Sequence, residues 1–235
     1  MFIEQNQEFD GSILITQCLQ KDFIDLNPPS PNKLNLGIRM IKMMRGNLEQ
    51  GEDRLSDVMR QIYTAPGNQN IIKIHIRDWH NQMDPAQQDE LNYFQPHCLE
   101  DSEGAEFAGS LNQFAYSGEI EPLNSPFLND FVETQLEGVL NEITAGRKER
   151  WRIGIFGVYT GIKVLYNVID LRTRLKFPHV AVFGNLCGDN KLSRHQIALE
   201  HMSEILQCSI FNTGNMNELP MVTNSFLKWM GLRVA

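Results

Sequence analysis

The chain has 235 residues, of which 42% are hydrophobic, and a formal charge of −8. This length and apolar fraction support one α/β domain with a sizeable core and argue against a disordered chain. The acidic balance argues against a general nucleic-acid binder, which needs a basic face. No run approaches the roughly 18 to 20 apolar residues of a membrane-spanning helix, and the stretch from Met1 to Asn6 lacks the basic and apolar regions of a signal peptide. The expectation is a soluble, cytoplasmic protein with neither membrane nor nucleic acid as partner. Cys18, Cys98, Cys187 and Cys208 are widely spaced without a CxxC pair and read as free thiols.

Short apolar runs alternate with longer helical patterns along the chain, which predicts a parallel sheet covered on both faces. Ser12 to Thr16 reads as the first strand, and Leu34 to Leu48 as a helix carrying Leu36, Ile38, Met40, Ile41 and Met44. The polar stretch from Glu49 to Asn70 holds a helical turn around Leu55 to Ile62. Asn70 to Arg77 alternates, with Ile72, Ile74 and Ile76 on one face and Lys73, His75 and Arg77 on a wetter face suited to an interface. Asp78 to about Gly118 reads as a long loop without periodicity, a length that in a compact domain points to function. Ile120 is placed on a short strand and Phe127 to Ile143 on a helix. Ile153 to Tyr159 is a strand, Ile162 to Leu175 a helix, Val180 to Gly184 a strand, and Ser193 to Leu206 a helix. Ser209 to Phe211 is the last strand and Met216 to Met230 the last helix.

Six strands with interleaved helices and right-handed crossovers make a doubly wound, three-layer α/β/α sandwich with a mostly parallel sheet. Ligands in such folds sit beyond the carboxyl ends of the strands. Those ends are Gln17 to Asp22, Asp78 to His80, the Glu119 region and Tyr159 to Lys163.

Four segments, in order, resemble the isochorismatase and nicotinamidase superfamily of cysteine hydrolases across about residues 12 to 206. Leu14 to Phe23 is similar to Leu-Leu-Val-Ile-Asp-Met-Gln-Asn-Asp-Phe, with Gln20, Asp22 and Phe23 matching and the catalytic aspartate falling on Cys18. Arg77-Asp78-Trp79-His80 looks like the Asp-Trp-His of nicotinamidases. His97 to Phe107 resembles His-Cys-x-x-Gly-Thr-x-Gly-Ala-Glu-Phe. Gly157 to Val164 resembles the turn Gly-Val-x-Thr-x-x-Cys-Val, whose cysteine attacks the substrate, but here that position is Lys163. The third catalytic residue of the superfamily is a lysine, and this chain has no lysine between Lys73 and Lys148. Nicotinamidase-like spacing from Phe131 puts Glu121 there, and other spacings give Ser125 or Glu119.

The resemblance therefore places Cys18, Glu121 and Lys163 on the three catalytic positions and expects Gln20, Trp79, Tyr159 and Thr160 around a ligand. Two arrangements are open. Lys163 and Glu121 could form an ion pair in a degenerate pocket, which would limit their desolvation cost. Alternatively, Lys163 could depress the thiol pKa of Cys18 in a permuted triad, though a thiolate on that strand would not face the superfamily's oxyanion-hole amides. The resemblance also implies a divalent metal on Asp78, His80 and His97, with Asp84 where a further histidine often lies. Such donors suit zinc, iron or manganese; without a metal, Asp78 and His80 would cap the strand end. His195 and His201 read as structural or surface groups, Cys98 as a buried small residue, and Cys187 as a reactive thiol only if exposed.

The sequence thus leads to a non-hydrolytic relative that binds a small-molecule ligand or a protein partner, or serves as a regulatory or assembly subunit. The alternative is a hydrolase of a small amide using a rearranged Cys18, Glu121 and Lys163 site. A homo-oligomer is expected, both from the resemblance and from apolar residues in Ile162 to Leu175 and in Phe226 to Met230.

Overall fold

Strand β1 (Gly11–Gln17) is buried along its whole length, because both of its edges are paired and both faces are covered, as in the centre of a parallel sheet. The computed structural model describes residues 8–30 and 32–234; the signal-peptide reading of Met1 to Asn6 lies outside them. After β1 come α1 (Lys21–Ile24), α2 (Gly37–Arg45), α3 (Arg54–Thr64) and β2 (Ile71–Asp78). The stretch read as a loop holds two short helices, α4 (Gln88–Phe94) and α5 (Leu111–Ala115), too short to show a helical period. The rest of the chain forms β3 (Leu123–Ser125), α6 (Leu136–Thr144), β4 (Trp151–Gly157), α7 (Leu165–Ile169), β5 (His179–Phe183), α8 (Leu192–Glu204), β6 (Ser209–Phe211) and α9 (Leu219–Trp229). Helix α7 is flanked by π-helical turns at Thr160–Val164 and Asp170–Arg174, so 160 to 174 is one wound segment.

The six strands are all parallel, in the order β3-β2-β1-β4-β5-β6. The order reverses between β1 and β4, and the crevice there is where doubly wound sheets bind ligands. The two strands meet closely at that point: Gly157 has φ +138°, and a Cβ on it would lie 2.0 Å from the carbonyl of Gln17. Only glycine fits both the angle and the space. Aromatic packing closes one side of the sheet, with Phe226 of α9 stacked on Phe183 of β5 at 4.8 Å between centroids. No helix among the described residues is long and apolar enough to cross a membrane.

Several expectations change. The strand placed at Ile120 lies three residues later, and the helix expected from Phe127 begins only at Leu136. The segment before it instead turns to bury Asp130. Phe226, Leu227 and Met230 are core residues, as are Val164, Val168, Leu171 and Leu175, so they supply no apolar surface for an oligomer. Cys187 is buried, and burial pushes its thiol up to about 12.

His75 is not on a wet face. It is fully buried, with Nδ1 2.6 Å from the Thr16 hydroxyl and Nε2 2.8 Å from the Tyr63 hydroxyl. Helix α3 brings Tyr63 over β2 and covers the position that period-2 alternation assigns to solvent. Burial, helped by the Lys73 charge, lowers the His75 pKa from 6.5 to about 4. The unfolded chain therefore binds this proton first, and the stability present above about pH 6.5 is lost as pH falls toward 4. The full loss is about 3 kcal/mol. Denaturant unfolding across this range should show a steeper decline for the wild type than for His75→Gln; parallel profiles would refute the assignment.

Candidate active site and metal centre

The carboxyl ends of β1, β2, β3 and β4 converge on Lys163. This residue lies in the π-helical turn that follows β4, and its side chain is 4% exposed. Its ammonium donates to Asp78 Oδ1 at the end of β2, to Ser125 Oγ at the end of β3 (3.3 Å) and to Asp130 Oδ1 (3.4 Å). All three N–H bonds of the ammonium are used, the condition a buried charge must meet. Asn167 in α7 donates to Asp130 Oδ2 at 2.6 Å and to Gln17 Oε1 at 2.8 Å, tying the acidic group to β1.

Burial opposes charge on both Lys163 and Asp78, but their mutual attraction wins. The Lys163 pKa rises well above its usual value, and the Asp78 carboxyl is held well below the carboxylate range. Asp130 moves the other way, because burial dominates its weaker contact with Lys163. Cys18 sits beside the pair, with φ +48°. Its Sγ accepts from Gln17 Nε2 at 2.9 Å and donates to Asp78 Oδ1 at 3.3 Å. Burial and the Asp78 charge push this thiol well up, against the opposing pull of nearby Lys163.

Glu121 does not reach this cluster. It is exposed on the approach to β3, and Asp78 and Asp130 take the role expected of it. Of the three candidate positions it is Ser125, the last residue of β3, that touches Lys163. Gln20 is a clamp: its side chain accepts from the Asp78 amide at 2.7 Å and donates to the carbonyls of Asp78 (2.7 Å) and Ala105 (3.0 Å). Trp79 lies outside the cavity, under the Arg77 guanidinium at 3.9 Å. Thr160 donates to the Gly188 carbonyl at 2.9 Å and lies 2.8 Å from His195 Nδ1, which makes His195 a structural group. Tyr159 lines the cavity, and its buried hydroxyl has no protein partner.

Asp78, His80 and His97 are all buried and each presents one ligand atom within 4.8 Å of the others. Two second-layer bonds orient the imidazoles. His80 Nδ1 lies 3.1 Å from Gln87 Oε1, and His97 Nδ1 lies 2.7 Å from the Gln95 carbonyl. Both partners are acceptors, so each Nδ1 carries a proton and Nε2 is the nitrogen left to face a metal; burial opposes charge on His80, but the Asp78 carboxylate beside its Nε2 raises its pKa overall, so a metal would have to displace a proton there. Both Nε2 atoms are buried without a hydrogen-bond partner among the described residues, and His80 Nε2 lies 3.8 Å from Asp78 Oδ2. Asp84 stands one layer back: it caps the turn Pro85–Gln87 and accepts from Gln87 Nε2 at 2.8 Å, holding the residue that holds His80. These donors fit a divalent metal.

Glu90 on α4 has no counterpart in the sequence reading. It lines the same cavity, one of its oxygens is buried without a partner, and burial together with Asp78 raises its pKa. Neither Glu90 nor Asp130 lies in a recognisable motif. Their shared signal is a carboxylate next to an apolar residue that packs inward, Leu91 and Phe131 respectively.

The cavity enclosed by Cys18, Asp78, Glu90, Tyr159, Lys163 and the apolar wall is about 20 Å³, room for about one water molecule.

Neither a protein-family model nor a curated protein sequence matches this chain. Solved structures do match. A pyrazinamidase/nicotinamidase from Streptococcus mutans aligns with TM-score 0.68 and 22% identity, over 85% of this chain and 99% of the other. An isochorismatase-like hydrolase from Alkaliphilus metalliredigens aligns with TM-score 0.65 and 16% identity, over 93% and 99%. A pyrazinamidase of Pyrococcus horikoshii in complex with zinc aligns with TM-score 0.61 and 20% identity, over 86% and 99%. The fold is therefore that of the nicotinamidases and isochorismatase-like hydrolases.

All four cysteines are buried, which shields them from a reagent in bulk water. An aromatic disulfide reagent at mildly alkaline pH should label none of them in the folded protein and all four after denaturation. Rapid labelling of Cys18 in the native state would contradict this site.

Proposed function

We propose that this chain is a non-hydrolytic relative of the amidase fold, a metal-holding small-molecule sensor or a regulatory or assembly subunit. One observation carries this reading: the position of the attacking cysteine holds a lysine whose ammonium is spent on Asp78, Asp130 and Ser125. An ammonium with three bonded protons has no lone pair to attack a carbonyl.

Asp78, His80 and His97 would hold the metal, and Glu90 shares the adjoining cavity with Asp78. A bound divalent ion supplies Lewis acidity or a site for a ring nitrogen. The chain's own residues hold the two imidazoles in one tautomer, exclude bulk water with Phe23, Phe94 and Tyr159, and fix Asp78 through Gln20.

A second reading has one observation in its favour. Thiol, carboxylate and amine do meet, as Cys18, Asp78 and Lys163 rather than with Glu121. Purified protein should release no detectable ammonia from nicotinamide and no product from isochorismate, whereas a ligand that binds should raise the unfolding temperature. Turnover by the wild type that vanishes in Cys18→Ser would replace the first reading with the second.

We also propose a homo-oligomer. Its support is Ile197 and Ile205, 64% and 66% exposed on one side of α8 and its C-cap, rather than the buried residues first considered. Light scattering should give a multiple of the 27.0 kDa chain mass. A monomer mass at all micromolar concentrations would exclude the assembly.

A further inference from the structure

Lys163 and a divalent metal would need the same carboxylate. Lys163 Nζ is bonded to Asp78 Oδ1, and the other oxygen of Asp78 lies 3.8 Å from His80 Nε2, within the Asp78, His80 and His97 group. One oxygen of that carboxylate is engaged by a fixed cation, so a metal held by Asp78 would share its negative charge with Lys163.

The amine cannot easily move away. Its side chain is almost completely buried, and its other two bonds go to Ser125 and to Asp130, which Asn167 holds in turn. Tight burial also keeps water from screening the two cations, so their repulsion is far stronger than at a surface. No other cationic side chain lines this cavity, and the effect belongs to this one residue.

We propose that Lys163 is a built-in counter-ion that competes with divalent metal for Asp78 and sets the affinity of the Asp78, His80 and His97 site low. The inference rests on the metal-holding reading above. It deepens that reading by giving the site a weak, exchangeable character: a tethered ammonium occupies one side of Asp78 when metal is scarce, and metal binds only at concentrations that overcome it. The carboxylate is then never left as an uncompensated buried charge, and the fold persists in both states.

The test is metal binding by full-length protein, with zinc and manganese titrated against a fluorescent chelator. Lys163→Met keeps the length and apolar stem of the side chain but removes the charge, and should bind metal roughly tenfold or more tightly than the wild type, the scale on which groups around the ligands act. Lys163→Gln, which retains a hydrogen-bond donor, covers the case in which the Met variant fails to fold, and should shift in the same direction. His80→Ala should lose binding in the wild-type and Lys163→Met backgrounds alike. Equal affinities for wild type and both Lys163 variants, all dependent on His80, would overturn the competition but leave the metal site standing. No binding by any variant, or binding indifferent to His80, would overturn the metal reading itself and this inference with it.

Discussion

The buried pair of Lys163 and Asp78 is the constraint around which the rest of the site is arranged. Taking either charge out of water costs several kcal/mol, and the attraction between them offsets this only if the remaining donors and acceptors are also satisfied. Ser125, Asp130, Asn167 and Gln17 do this, and they come from β3, the segment after it, α7 and β1. One pair thus fixes four strand ends relative to one another at the point where the sheet reverses its order.

A second set of buried polar contacts supports the motif-like segments. The Asp22 carboxylate accepts from the amides of Ser30 (2.9 Å) and Cys98 (2.8 Å), and a Cβ on Gly104 would lie 2.1 Å from it. Gln20 joins the end of β2 to Ala105. The matches at Gln20, Asp22 and Gly104 therefore serve the scaffold. They hold the His97 to Phe107 segment against β1 and β2 and so carry His97 to His80. These contacts are needed for folding, and a buried amine is accommodated at Lys163 because the carboxylates of Asp78 and Asp130 are buried beside it.

Asp78 joins the histidine pair to Lys163. It accepts from Lys163 and Cys18 on one oxygen and faces His80 with the other. Any change in charge on one side is felt on the other through that group, over a distance at which a dry interior screens little.

The sequence by itself determined the sheet and its order of elements. Period-2 and period-3.6 patterns report local burial, and the core strands β1, β4 and β5 lie within one or two residues of where those patterns place them. The resemblance carried by Asp78-Trp79-His80 and His97-Cys98 also named Asp78, His80 and His97 together as candidates. Only the tertiary structure decided the partner of Lys163. Glu121 and Asp130 are both carboxylates at plausible distances along the chain, and nothing local separates them; a turn before α6 buries one and leaves the other in solvent. His75 shows the same limit, since its strand alternates as if half-exposed and a tyrosine from α3 covers it. Local pattern reports which face a residue presents, but which charge meets which across the interior depends on where distant segments pack.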